Sequence, residues 1–310
     1  MKKNKIIIDT DPGVDDTTAL FFALTNDSLD IKLITTVSGN ISVTNATRNV
    51  CFLLDILNKD IPVVKGSARP LVRSVKHATF LHGVQGLGDF EPPKTTKHKP
   101  IKSDAIDKMY EVIKENPNEI TIFVFGPHTN VAKLISTYPS VVPLIKKIVF
   151  MGGSPYGMKD FPNHDSFNIK CDPEAFEIVL NSGIPLRMLP SHIGRYRVGL
   201  DQKEVKQIAK LNSVGHFLSV TYKDYLEPNM LAQGLHVVAT NDTSALFCFL
   251  YPKIFTIKKA NIAVDTKENV GRTFADFCKK GKVEIVVDVQ QKEFKKIFFE
   301  SLKKLDDYKV

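Results

Sequence analysis

Four carboxylates crowd into eight residues near the start of the chain: Asp9, Asp11, Asp15 and Asp16, in the run IIIDTDPGVDD. Like charges this close repel one another, so the cluster makes most sense with something positive among them. Carboxylate oxygens are hard ligands, and the cation they suit is Ca2+ or Mg2+ rather than zinc or copper. A helix N-terminus also favours acidic residues, and Asp11-Pro12-Gly13 has turn chemistry. Those preferences account for one or two of the carboxylates, not for four.

The flanking residues indicate what must hold these acids in place. Residues 5–8 read as a short buried strand, and from Thr17 onward Ala19, Leu20, Phe22, Ala23 and Leu24 recur at helical spacing. Pro12 and Gly13 break the chain between them, so the unit is strand, acidic turn, helix. In open α/β sheets ligands bind in the crevice outside the carboxyl ends of the strands. Asp11 and Asp15 are therefore expected to project into such a crevice. Asp15 and Asp16 fall in the first helical turn, where backbone N–H groups favour the ionised form. Adjacent helical residues point about 100° apart, so these two divide the work: one binds the cation while the other faces substrate or water.

The same alternation continues along the chain. Strands are expected at 31–37, 62–64, 120–125, 147–151, 185–189 and 284–287, and helices at 43–57, at 105–114 and after residue 130. Near-continuous apolar strands between amphipathic helices indicate an α/β fold, an open doubly wound, Rossmann-like sheet that is mostly parallel and flanked by helices on both faces. Several strands end in small or polar residues, Asp9, Asn40, Gly126 and Gly152. The site is therefore expected at the carboxyl ends of the strands, with one pocket shared among them.

With no linker, low-complexity tract or repeat, the 310 residues are expected to form a single domain spanning 1–310. The net charge of +8 comes from lysines scattered along the whole length. The densest basic run, 94–102, has no interleaved aromatic residues for base stacking, so a solvated surface is expected and no nucleic acid. Cys51, Cys171, Cys248 and Cys278 lack any C-x-x-C spacing and read as buried thiols of a reducing compartment. The first apolar run stops at Ile8, too short for a signal-peptide core, and no segment approaches the ~20 apolar residues of a membrane span. The expected location is cytoplasmic, with no membrane partner.

With these residues in view, the sequence resembles the inosine–uridine-preferring nucleoside hydrolase family. DTDPGVDD is similar to that family's N-terminal signature, DxDPGxDD. Further matches follow in the family's order: Val37-Ser38-Gly39-Asn40, HGVQGLG from His82, GPHTN from Gly126, MGG from Met151, FNIKCDPEA from Phe167, and Asp242. The resemblance implies that Asp11, Asp16 and Asp242 ligate a Ca2+, helped by the backbone carbonyl of Phe125. It implies Asp15 as general base, Asn40, Asn168 and Met151 as ribose-binding residues, and Asp9 as a residue that orients the ligands. The substrate is then a small-molecule ribonucleoside and the protein a homo-oligomer, dimer or tetramer, in nucleoside salvage. The chemistry is coherent. Hydrolysis of an N-glycosidic bond passes through an oxocarbenium-like sugar and needs a poised water. Calcium has coordination sites for carboxylates, a ribose diol and a water whose proton a nearby carboxylate accepts.

The sequence departs from the family on the leaving-group side. Many members carry a histidine before the C-terminal calcium aspartate; here the segment reads Thr240-Asn241-Asp242-Thr243. An amide donates a hydrogen bond but transfers no proton to a leaving base. His82, in a Gly-rich loop, His164 and His236, six residues before Asp242, are the candidate replacements, each weighed against an ordinary structural role. The expected leaning is to purine nucleosides such as inosine, or to a slow enzyme. In the ribose-binding loop Ser166 stands where relatives show Glu, with Asp165 one step earlier and Asn163 and Asp160 competing for a sugar-binding place. Phe80, Tyr222 and Tyr225 are candidate base-stacking rings that also suit ordinary packing. Arg195-Tyr196-Arg197 reads as a solvated loop or a subunit contact.

Two other readings compete. A haloacid dehalogenase-type phosphohydrolase also carries Asp-x-Asp after its first strand, but Pro12-Gly13 followed by Asp15-Asp16 fits that pattern poorly. A nucleoside or ribose binder with little turnover would explain Asn241, yet has no need of a general base beside the metal. An EF-hand fails on the missing mid-loop glycine and closing Glu.

Overall fold

A computed structural model describes residues 2–156, 166–234 and 236–310, with only the backbone described at 224 and 227–233. The apolar run after Lys5 becomes β1 (Asn4–Thr10), the central strand, and its residues alternate between two cores. Ile6 and Ile8 face one core and Ile7 the other, which is why this strand shows no polar alternation. β2 (Leu29–Thr36), β3 (Val63–Lys65), β4 (Thr121–Val124), β5 (Lys147–Met151) and β6 (Leu186–Leu189) lie parallel to it. Next come β7 (Phe255–Val264), β8 (Thr273–Phe277) and β9 (Val283–Val289), giving a nine-stranded sheet in the order β3-β2-β1-β4-β5-β6-β9-β7-β8.

The expected mostly parallel sheet, covered on both faces, is what these residues form. β7 and β8 were not foreseen. They pair antiparallel, β7 with both β9 and β8. β7 buries Phe255 and Ala260 but exposes Lys258 and Lys259, so it carries no apolar run to announce it.

One face of the sheet carries α1 (Val14–Leu24), α2 (Val43–Leu57), α9 (Ser213–Gln233), α10 (Asn241–Leu250) and α11 (Gln291–Lys303). The other face carries α4 (Ala105–Glu115), α5 (Thr129–Thr137) and α7 (Pro173–Asn181). Three shorter helices, α3 (Thr79–His82), α6 (Phe167–Cys171) and α8 (Gln202–Ile208), sit in connections. Among the described residues no helix is long and apolar enough to cross a membrane. The chain leaves β1 in one direction towards β2 and β3, and returns to β4 on the other side. The crevice at the carboxyl ends of β1 and β4 is therefore the topological switch point, the usual ligand position in such sheets.

Candidate active site

β1 ends at Thr10, and Asp11 emerges at the switch point. Its Oδ2 accepts the backbone N–H of Asn40 at 2.5 Å. Gly39 and Gly126 close around this carboxylate. A methyl on Gly126 would lie 2.7 Å from Asp11 Oδ1, and one on Gly39 would collide with Oδ2. Both turns, one after β2 and one after β4, thus need glycine so that the backbone can approach the acid.

α1 begins immediately after Pro12-Gly13. Asp16 accepts three hydrogen bonds: Thr10 Oγ1 at 2.7 Å on Oδ1, and the Gly13 N–H at 3.2 Å and Asn40 Nδ2 at 3.1 Å on Oδ2. Asp15, on the adjacent helical position, accepts from one other side chain among the described residues, Asn241 Nδ2, at 3.3 Å on Oδ2. Asn241 and Asp242 open α10, whose first turn packs against that of α1, so two helix N-termini converge on the same acids.

Carboxylate oxygens of Asp15, Asp16 and Asp242 lie within 4.8 Å of one another. Both oxygens of Asp242, and Asp11 Oδ1, are buried without a hydrogen-bond partner among the described residues. Buried polar atoms are rarely left so. Burial and mutual repulsion push the carboxyls up: Asp15 reaches about 7, chiefly by desolvation and then by Asp16, and Asp11 and Asp242 rise well above the usual range. A divalent cation satisfies the unpaired oxygens and removes the repulsion together. The all-oxygen donors suit a hard ion. Among the described residues the three acids that come together are Asp15, Asp16 and Asp242, and Asp11, expected as a ligand, lies outside that group although its Oδ1 is unpaired.

The Phe125 carbonyl, one residue beyond β4, accepts a short hydrogen bond from Asn168 Nδ2 and keeps a second lone pair. Asp9 lies deeper, fully buried. Its Oδ1 accepts from Thr35 Oγ1 at 2.6 Å and Asn130 Nδ2 at 2.7 Å, so its bonds tie β1 to β2 and α5 rather than to the other acids.

A cavity of about 250 Å³ opens over these groups, of a size for a small molecule rather than a polymer. Asp15, Asn40, Met151, Asn168 and His82 all line it, with Ser166 and Lys170 beside Asn168. Phe80, three-fifths exposed, and Tyr225 contribute rings to the lining, whereas Tyr222 is buried and bonds Thr18 at 2.6 Å. His82 closes α3 instead of lying in a loop. Its Nδ1 accepts the Val14 N–H at 3.1 Å, so the ring proton sits on Nε2. Burial, and then the cation of Arg195, lower its pKa to about 3. It is a neutral hydrogen-bond donor, not an imidazolium. His236 is exposed and absent from the lining: an extended bridge, Val238 to Leu200, separates it from α10. Asn163, Asp165, Asp160 and His164 lie outside the described residues.

One lining residue escaped sequence reasoning. Arg195 is buried, within a π-helical turn spanning Ile193–Arg197, and not part of a solvated loop. Two arginines around a tyrosine carry the composition of a surface. Only the glycine before them, which lets the turn press against α10, hinted otherwise.

The inosine-uridine preferring nucleoside hydrolase family model matches residues 6–296. The chain is 34% identical over 295 residues to the non-specific ribonucleoside hydrolase RihC of Escherichia coli O127:H6, covering 93% of this chain and 95% of that one. Its fold is similar to that of a plant nucleoside hydrolase, PpNRh1, with a TM-score of 0.88 and 28% identity over 97% of this chain and 99% of that one. The same values hold for a purine-preferring ribonucleoside hydrolase from Gardnerella vaginalis.

Proposed function

As a member of the inosine-uridine preferring nucleoside hydrolase family the chain is an N-glycosyl hydrolase of ribonucleosides, and we propose that it works with calcium and favours purine nucleosides such as inosine. The observation that carries the calcium assignment is the pair of unpaired, buried oxygens on Asp242, which lies with Asp15 and Asp16 in one group of acids, together with the unpaired Oδ1 of Asp11. Asp11, Asp16, Asp242 and the Phe125 carbonyl are the groups that would hold the ion. When bound, calcium supplies positive charge that orients a vicinal diol and acidifies adjacent water.

The protein's own residues do the rest. Of the four acids Asp11, Asp15, Asp16 and Asp242, Asp15 is the one that lines the cavity, so its carboxylate is the base that takes the proton of the attacking water. Asn241 steadies that carboxylate. Asn40, Met151 and Asn168 hold the ribose, with Asn163 and Asp165 as further substrate-binding residues. His82 offers its Nε2–H as a donor to the substrate. The purine leaning is supported by the flat walls of Phe80 and Tyr225 and by the preference of the Gardnerella relative. A cytoplasmic homo-oligomer, dimer or tetramer, acting in nucleoside salvage completes the reading.

The test is ribose release from each common ribonucleoside and from 2′-deoxyinosine, before and after chelation and with calcium or magnesium restored. Ribose should appear fastest from purine ribonucleosides, stop on chelation and return with calcium, while the deoxy sugar reacts poorly. No release from any ribonucleoside removes the activity. Turnover that survives chelation removes the metal, and pyrimidine-first turnover removes the base preference.

A further inference from the structure

Breaking an N-glycosidic bond leaves an electron pair on the departing base, which needs a proton or a positive charge to receive it. Among the described residues the cavity wall around Asp15 offers few groups for this. Asn241 is an amide committed to Asp15. His82 has its Nδ1 occupied by Val14 N–H and stays neutral. His236 is exposed and off the wall. Tyr225 is fully buried, and burial raises its hydroxyl further from proton donation. Lys170 carries charge, but on α6 beside Asn168, on the sugar-binding wall.

Among the described residues Arg195 remains, and its backbone is fixed by the site itself; His164 lies outside them. The Thr240 N–H donates to the Gly194 carbonyl at 3.1 Å, and the Val198 N–H donates to the Ile193 carbonyl at 3.2 Å, closing the wide turn. A methyl on Gly194 would lie 2.5 Å from Asn241 Oδ1 and 2.6 Å from its Cα. The turn is therefore seated directly on the residue that neighbours Asp15 and Asp242. Arg195 lines the same cavity as Asp15, His82 and Tyr225, and its charge acts on all three. π-turns of this kind recur at functional sites.

We propose that Arg195 is the leaving-group catalyst, its guanidinium pairing with the nucleobase as the glycosidic bond breaks. The inference rests on the N-ribohydrolase reading above. The bond from C1′ to the base nitrogen breaks with its electrons going to the base, and water oxygen bonds to C1′ and gives its proton to Asp15. The base leaves as an anion paired with the guanidinium and takes a proton from solvent, while Asp15 returns its own to solvent. Arginine holds its charge at any working pH, so it supplies a positive charge and a planar fork of donors instead of a proton.

The experiment compares inosine with 7-methylguanosine, whose base already carries a positive charge and departs neutral. In the full-length protein with calcium, Arg195→Gln should lower kcat on inosine about 100-fold. It should leave 7-methylguanosine near the parent rate, with calcium content unchanged. Arg195→Lys, which keeps the charge and guards against a misfolded glutamine variant, should recover part of the loss on inosine. Equal losses on both substrates, or an unchanged rate on inosine, overturn the proposal. A parent protein that releases ribose from neither substrate overturns the underlying activity, and this proposal with it.

Discussion

Asp15 and Asn241 meet across 226 residues of sequence, and their hydrogen bond favours the ionised form of the carboxyl proposed as the base. Burial and Asp16 raise the Asp15 carboxyl to about 7, and the Asn241 amide opposes that rise. In Asn241→Ala the acid limb of the kcat profile should move to higher pH; a limb that stays put or moves down contradicts this role. Asp15→Ala should lower kcat by about 10²- to 10⁴-fold. Calcium titration should show affinity close to the parent, because Asp11, Asp16 and Asp242 remain. Turnover near the parent level in that variant would refute the base assignment. The N-terminal acids were legible in sequence because they are contiguous and too many for a cap. Arg195 was not, because its burial depends on a turn packing against a helix 46 residues further on. His236 misled by proximity in sequence, since an extended bridge intervenes before α10 and leaves it exposed.

At the scale of elements, α1 and α10 bring their positive ends to one point while the turns after β2 and β4 close on Asp11. That enclosure has little slack. In Gly126→Ala the new methyl lies 2.7 Å from both Asp11 Oδ1 and Val37 Cγ1. Overpacking of this kind costs about 1–3 kcal/mol, so the protein should still fold. Calcium affinity should fall about 10- to 100-fold, as when a ligand's support is disturbed. Isothermal titration measures it, and an unchanged affinity means that Asp11 is not a ligand. The parallel strands were readable as apolar runs because both their faces are covered. β7 and β8, at one end of the sheet, expose much of their surface and so lose that signature.

For the molecule as a whole, the buried acids link stability to pH. Burial lifts Asp9 and Asp15 from 3.8 to about 7. In calcium-stripped protein the folded chain holds protons there that the unfolded chain releases once pH passes about 4. Their contribution to stability is therefore full below about pH 4 and lost as pH rises through 7. Calcium, binding only the folded form, should restore it, adding about 2.7 kcal/mol at a hundredfold excess over Kd. The rise in Tm on adding calcium should thus be larger at pH 8 than at pH 5; an equal or reversed difference argues against a cation among these acids. The doubly wound plan was readable from strand and helix alternation, and the switch point then followed from topology. That Asp242 joins acids from the other end of the chain has no local signal, and only the family resemblance supplied it. A consequence follows for synthesis. A nascent polypeptide that has emerged from the ribosome only as far as β6 carries Asp11, Asp15 and Asp16 but neither Asn241 nor Asp242. On the proposed assignment, chains that stop before residue 241 lack part of the acid cluster and are expected to release no ribose, so activity should arise only once most of the polypeptide has been made.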